Sequence, residues 1–235
     1  MVSSPKFHHP AVLAKEVMTI DHLSGGRFIL GMGAGGLGYD ATVLGREPLA
    51  SSERVRRFAE FVTVTDHLLR HSATTHHGRY YDVVDARMHP GCIQQPRVPF
   101  AIAAAGAHTL DIAARYGDAW ITYGDSADTT ERWTVHVVRS QLDMLVKACN
   151  RHGRDPRSLR RIYLIGNTQA RPLASVAAFA EFAAGYQALG FTDVVFHHPR
   201  PDDPVWQEPE QIVEDIATSV LRPLQAEPPD QWVGV

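Results

Sequence analysis

Residues 99–124 read PFAIAAAGAHTLDIAARYGDAWITYG. The apolar run 99–106 ends in small residues and predicts a buried strand with its exit loop. Residues 107–116 follow with helical spacing, and Gly117 supplies the stop. Residues 118–124 then form a second apolar run. A strand, a helix and a strand in such short compass are one unit of a parallel β/α sheet.

The same rhythm extends in both directions. Downstream, a helix over 129–152 stops at Gly153, a strand covers 161–166, and a helix over 173–189 is capped by Gly190. A strand at 193–197 and a helix at 209–225 follow, and the Pro-rich tail 228–235 is expected to be loose. Upstream, Pro10 and the pair Gly25-Gly26 bracket a helix over 10–24, with Leu13, Val17, Ile20 and Leu23 at helical spacing. The run from Arg27 dissolves into glycines and reads as a buried strand and loop. A helix over 52–70 carries Val55, Phe58, Phe61, Val62, Leu68 and Leu69 as its apolar stripe. Residues 74–98 lack helical period and read as an irregular excursion with a short strand at 80–84.

An open doubly wound sheet and a (β/α)8 barrel both satisfy this order. Strands near 28, 100, 119, 161 and 193, with a stub at 1–4, make five or six units. A barrel needs eight in roughly 250 residues. On the barrel reading the first two units are missing from this chain. No linker divides it, so residues 1–227 are expected to be one domain.

The chain has 235 residues, 44% apolar and 21% charged, with a formal net charge of −3. That suits a sizeable core and argues against binding nucleic acid through phosphate neutralisation. No apolar run reaches the roughly 18–20 residues that cross a bilayer. Residues 1–10 lack a charged segment followed by an apolar one, so no secretory signal is read there. Cys92 and Cys149 make neither a disulfide framework nor a zinc spacing, and a cytoplasmic protein is the expectation.

The densest motif is GMGAGGLG at 31–38, where backbone can approach a ligand closely. A dinucleotide fingerprint needs a helix opening on that loop, and the next helix begins only near residue 52. At Ala103–Ala107 a strand ends and a helix opens on small residues, which presents helix N–H groups to an anion. The ends of two neighbouring strands, Thr122 and Tyr123 among them, would line the active mouth of a barrel. The pairs His8-His9, His76-His77 and His197-His198 offer no metal-ligand spacing, because neighbours on extended chain point to opposite faces. No metal is expected, and a metal-dependent barrel hydrolase is disfavoured. The G-x-S-x-G elbow of another hydrolase class is absent as well.

Four ordered blocks carry a resemblance. They are HPAVLAKEVMTIDHLSGGRFILGMGAG at 9–35, GRYY at 78–81, QPRVPFAIAAAG at 95–106 and AARYGDAW at 113–120. Together they resemble the bacterial-luciferase-like oxidoreductases that depend on a flavin or on the deazaflavin F420. The resemblance is strong over about residues 1–125 and architectural beyond. It implies a (β/α)8 TIM barrel with F420 or FMN at the strand C-terminal ends. The chemistry it implies is hydride transfer to, or monooxygenation of, a small organic substrate. Neither cofactor is favoured by individual residues.

The same resemblance implies cofactor contacts at Val2 and Ser3, at Gly33, Tyr39 and Asp40, and at Ala104, Ala105, Gly106 and His108. Thr122 and Tyr123 complete that set. Two departures stand out. Relatives carry a catalytic histidine in the missing units, about 60–70 residues long. Some F420-dependent members have an acidic residue where this chain has Gly36. No catalytic residue is therefore assigned, and His197 and His198, after the last strand, are the remaining acid/base candidates. A homo-oligomer is expected by analogy alone. The competing reading is a non-catalytic cofactor-binding or partner protein derived from the same barrel.

Overall fold

The computed structural model describes residues 2–36, 39–124, 131–166, 171–200, 202–203 and 205–226. They group into two units: Met1–Trp120 with Met144–Leu159, and Ile121–Asp143 with Arg160–Val235.

In the first unit, helix α1 spans Pro10–Ser24, starting on Pro10 and ending where Gly25 turns left-handed at φ 62°. Strand β1 is Leu30–Gly33, so it starts later than the apolar run from Arg27 and takes two glycines into the strand itself. A four-residue helix, α2 (Tyr39–Thr42), follows that loop, nearer than the helix expected at 52. Helix α3 covers Ser51–Arg70 and buries Phe58, Phe61, Val62, Leu68 and Leu69. Strand β4 (Phe100–Ala103) lies parallel to β1, with Leu30 opposite Phe100 and Gly33 opposite Ala103. Helix α4 spans Ala107–Tyr116. A Cβ on Gly117 would lie 2.7 Å from the Ala113 carbonyl oxygen, so only glycine fits that stop. The expected stub is present as a parallel bridge between Ser3 and Met32.

Two expectations change here. The buried face of α1 runs through Leu13, Ala14, Val17, Met18 and Asp21, while Ile20 and Leu23 are exposed. Fully buried Asp21 explains the turn of that face. Its carboxylate accepts N–H bonds from Ile93 (2.7 Å) and Gln94 (3.1 Å), pinning the 91–95 segment to the helix. The excursion at 74–98 contains a true hairpin, β2 (Ala73–His77) against antiparallel β3 (Asp82–Arg87). Its turn is held from outside, by the Glu60 carboxylate, which accepts from the amides of Arg79, Tyr80 and Tyr81 at 3.1, 3.0 and 2.9 Å.

Strand β5 (Ala119–Thr122) and helix α5 (Glu131–Arg151) come next in the chain. In the second unit β6 (Arg160–Leu164) pairs in parallel with β7 (Asp193–Val195). The helix expected over 173–189 is α6 (Val176–Gln187), capped by the Ser175 hydroxyl. Aromatic side chains fill this unit: Tyr163 stacks on Tyr186 with centroids 3.9 Å apart, and Phe182 and Phe191 pack around them. Helices α7 (Gln211–Ile216) and α8 (Arg222–Ala226), separated by one π-helical turn, cover the region read as a single helix. The tail 228–235 lies outside the described residues.

Candidate functional site

The C-terminal ends of β1 and β4 bring the first-unit candidates together. The Ser3 amide donates to the Gly31 carbonyl at 2.8 Å, and the Gly33 amide donates to the Ser3 carbonyl at 2.9 Å. Backbone pairing thus lays residues 2–4 alongside β1. A Cβ on Gly33 would meet Val2 Cγ2 at 3.1 Å and the Ala103 Cβ at 3.4 Å. Val2, Gly33 and Ala103 therefore form one close-packed, uncharged floor, with Val2 39% exposed at its edge.

Beside that floor, β4 passes into α4. Buried Ala104 has its carbonyl taken by the Trp120 indole N–H at 2.8 Å, which fixes the strand exit. Ala105, Gly106 and His108 are exposed. Gly106 is the N-cap residue, in extended conformation, and no side chain caps the helix. Its own amide turns to the Thr109 hydroxyl at 3.3 Å. The first-turn amides are thus left to face outward, and a helix N-terminus in that condition favours an anion. A Cβ on Gly106 would have nothing within 4 Å, so the approach is open. These residues fit a phosphate-bearing cofactor of the kind the resemblance implies.

The remaining candidates fall differently. The side chains of Tyr39 and Asp40 lie outside what the structure describes. Thr122 and Tyr123 belong to the second unit. The Thr122 hydroxyl is buried and committed, donating to Gln141 Oε1 at 2.6 Å and accepting from the Gly124 amide at 3.0 Å. Tyr123 is 46% exposed. His197 and His198 follow β7, where the His197 ring packs on Trp206 at 5.4 Å and His198 Nδ1 lies 3.0 Å from the Pro199 carbonyl. Among the described residues no three His, Cys, Asp or Glu side chains gather as a metal site. Burial pushes the Cys92 thiol up, away from nucleophilic character. Among the described residues no helix is long and apolar enough to cross a membrane.

A cationic cleft was not foreseen from sequence. Lys6, Arg46, Arg54 and Arg57 line one cavity of about 210 Å³ with Glu47 as its acid. Arg54 Nη1 donates to the Gly35 carbonyl at 2.6 Å, and Lys6 Nζ holds the Gly36 carbonyl. These cations are scattered in sequence, so no local pattern announces them.

Comparison with known proteins places this geometry. The family model described as luciferase-like monooxygenase matches residues 1–165. The chain is 33% identical over 126 residues to 4-hydroxyprotoasukamycin monooxygenase of Streptomyces nodosus subsp. asukaensis, covering 53% of this chain and 33% of that protein. It is 37% identical over 121 residues to F420-dependent glucose-6-phosphate dehydrogenase of Amycolatopsis mediterranei, covering 51% and 36%. FMNH2-dependent dimethylsulfone monooxygenase of Pseudomonas putida is 28% identical over 119 residues, covering 51% and 33%. The chain thus spans about a third of the length of these curated relatives.

Among solved structures, coenzyme F420-dependent tetrahydromethanopterin reductase from Methanopyrus kandleri superposes with a TM-score of 0.74 at 14% identity, over 94% of this chain and 81% of that one. Monooxygenase RslO1 from Streptomyces bottropensis gives 0.70 at 18% identity, over 95% and 77%. These likenesses establish the fold, a β/α barrel type of which the described parallel strands form part. With the family model running from the floor at Val2 through β4, α4 and β5, the chain belongs to the luciferase-like monooxygenase family.

Proposed function

We propose that this chain binds F420 or FMN at the C-terminal ends of β1 and β4, as part of an oxidoreductase acting on a small organic substrate. Hydride transfer and monooxygenation are the two reaction types its relatives' names support. The observation that carries the reading is the uncapped N-terminus of α4 beside an uncharged floor of Val2, Gly33 and Ala103. Both cofactors join a flat ring system to a phosphate. An apolar floor next to a bare helix N-terminus matches those two chemistries side by side.

In this assignment the α4 amides, with Ala104, Ala105 and Gly106, hold the phosphate, and the exposed His108 adds a donor. Val2, Ser3 and Gly33 support the ring. Tyr39, Asp40, Thr122 and Tyr123 complete the proposed set by the alignment of motifs. When bound, such a cofactor supplies the two-electron chemistry, and the chain's part is to orient it and exclude water. His197 and His198, which follow β7, are the proposed candidates for moving a proton.

Fluorescence titration of this chain with F420 and with FMN tests the proposal. Saturable binding of one of the two is expected. If neither binds, the cofactor reading fails.

A further inference from the structure

We propose that Trp206 and Glu208, in the second unit, recognise a neutral group that both donates and accepts a hydrogen bond, the hydroxyl or carboxamide of a small organic molecule. Two side chains carry the inference. The Trp206 indole Nε1 and the Glu208 Oε2 are buried, and neither has a hydrogen-bond partner among the described residues. The residues themselves are 3% and 8% exposed. Residue 207 between them is exposed. That alternation is the one of extended chain, which projects Trp206 and Glu208 from the same side. A donor and an acceptor, each shut away from water and unused, therefore share one side of one segment. Leaving either unanswered is unfavourable, and a single visitor that answers both removes both penalties.

The surroundings select the chemistry. The other oxygen of Glu208, Oε1, accepts from Arg171 Nη2 at 2.9 Å and from its Nε at 3.2 Å, so the negative charge is already paired. The Trp206 backbone is fixed as well. Its amide donates to Asp203 Oδ1 at 2.8 Å, and its carbonyl accepts from the Arg200 amide at 2.8 Å. The His197 ring packs on the indole with centroids 5.4 Å apart. Both unused atoms are thus held in place beforehand, which lowers the cost of binding. A carboxylate or phosphate would bring only acceptors to the Glu208 oxygen, and an ammonium would bring only donors to the indole N–H. A hydroxyl oxygen serves both from one atom, and a carboxamide serves them with its C=O and its NH2. Every residue of this site belongs to the second unit, so the proposal does not rest on the cofactor assignment at β1 and β4.

The test follows the indole Nε1–H resonances by 1H–15N NMR. The chain has four tryptophans. Trp206→Phe identifies the Trp206 signal by removing it, and its through-space contact to the His197 ring identifies it independently. Butanol, butyramide, butylammonium and butyrate are the probes. Saturable movement of the Trp206 signal with butanol or butyramide, but not with the two ions, is the expected result. The tighter of the two neutral probes names the group. Glu208→Gln keeps the side chain's shape and, with its amide oxygen on Arg171, turns an NH2 group to the site in place of Oε2. Two donors then face the ligand, so butyrate should gain about tenfold on both neutral probes. No movement with any neutral probe would leave the two atoms to internal water and overturn the proposal. Equal movement with either ion, or an unchanged preference in Glu208→Gln, would overturn it too.

Discussion

The two ends of β4 are built from opposite materials. At the N-terminal end Arg97, 5% exposed, donates to Asp66 at 2.6 Å, to Asp118 at 2.9 Å and to the Tyr116 carbonyl at 2.8 Å. Its guanidinium also lies 3.5 Å over the Phe100 ring. Asp118 in turn accepts the Phe100 amide at 2.8 Å. At the C-terminal end, Ala103–Gly106 offer backbone and methyl groups only. One end spends charge on holding the strand, and the other keeps its backbone bare for something that arrives. That division is the one expected of a barrel, where strand C-terminal ends carry function and the opposite face carries stability.

Breaking the charged end should cost most. Arg97→Ala leaves the buried Asp66 with Arg70 as its one remaining side-chain partner among the described residues, and urea denaturation should show a loss of about 3–5 kcal/mol. A loss below 1 kcal/mol would mean that the network is ornamental. Glu60→Gln sharpens the comparison, because Glu60 is a carboxylate that holds the 79–81 turn rather than the exit of β4. It should cost about 1.5–3 kcal/mol through weakened bonds to the 79–81 amides. Faster hydrogen exchange in β2 and β3, with unchanged cofactor affinity, is the expected pattern; a loss of affinity would show that holding and receiving are not separate.

The smallest effect is expected in the second unit, at Asp203. The amides of Trp206 and Val205, then Arg200, lower its pKa from 3.8 to about 2. A depressed carboxylate contributes stability above its unfolded pKa and loses it as pH falls through the folded value. The 203–206 turn should therefore stay ordered at pH 4 and loosen as pH falls toward about 2. Loosening already at pH 4, read from the Trp206 and Val205 amide shifts, would refute the assignment.

Helix punctuation was legible because single residues enforce it: Pro10 and Gly25 bracket α1, and Gly117 stops α4 for lack of room. The hairpin was not, since its polar Thr and His residues show little alternation and its turn depends on Glu60, far back in the chain. Asp21 misled the reading of α1, because a buried carboxylate is invisible to apolar spacing. At the candidate site, Gly33 and Ala104–Gly106 were found through motif resemblance, and their floor and open helix end follow from backbone geometry. The hydroxyl of Thr122 shows the opposite case, since its commitment to Gln141 depends on tertiary packing. The cleft of Lys6, Arg46, Arg54 and Arg57 is likewise a product of folding alone.

The most direct test of the account is Gly106→Asp, read by thermal melting and by cofactor titration of the same sample. Aspartate is a better N-cap than glycine, by a few tenths of a kcal/mol, and there is room for its Cβ. It would also place a negative charge where the phosphate is assigned. The account predicts equal or higher stability together with at least about tenfold weaker binding of F420 or FMN. Unchanged affinity in a stably folded Gly106→Asp protein would contradict it.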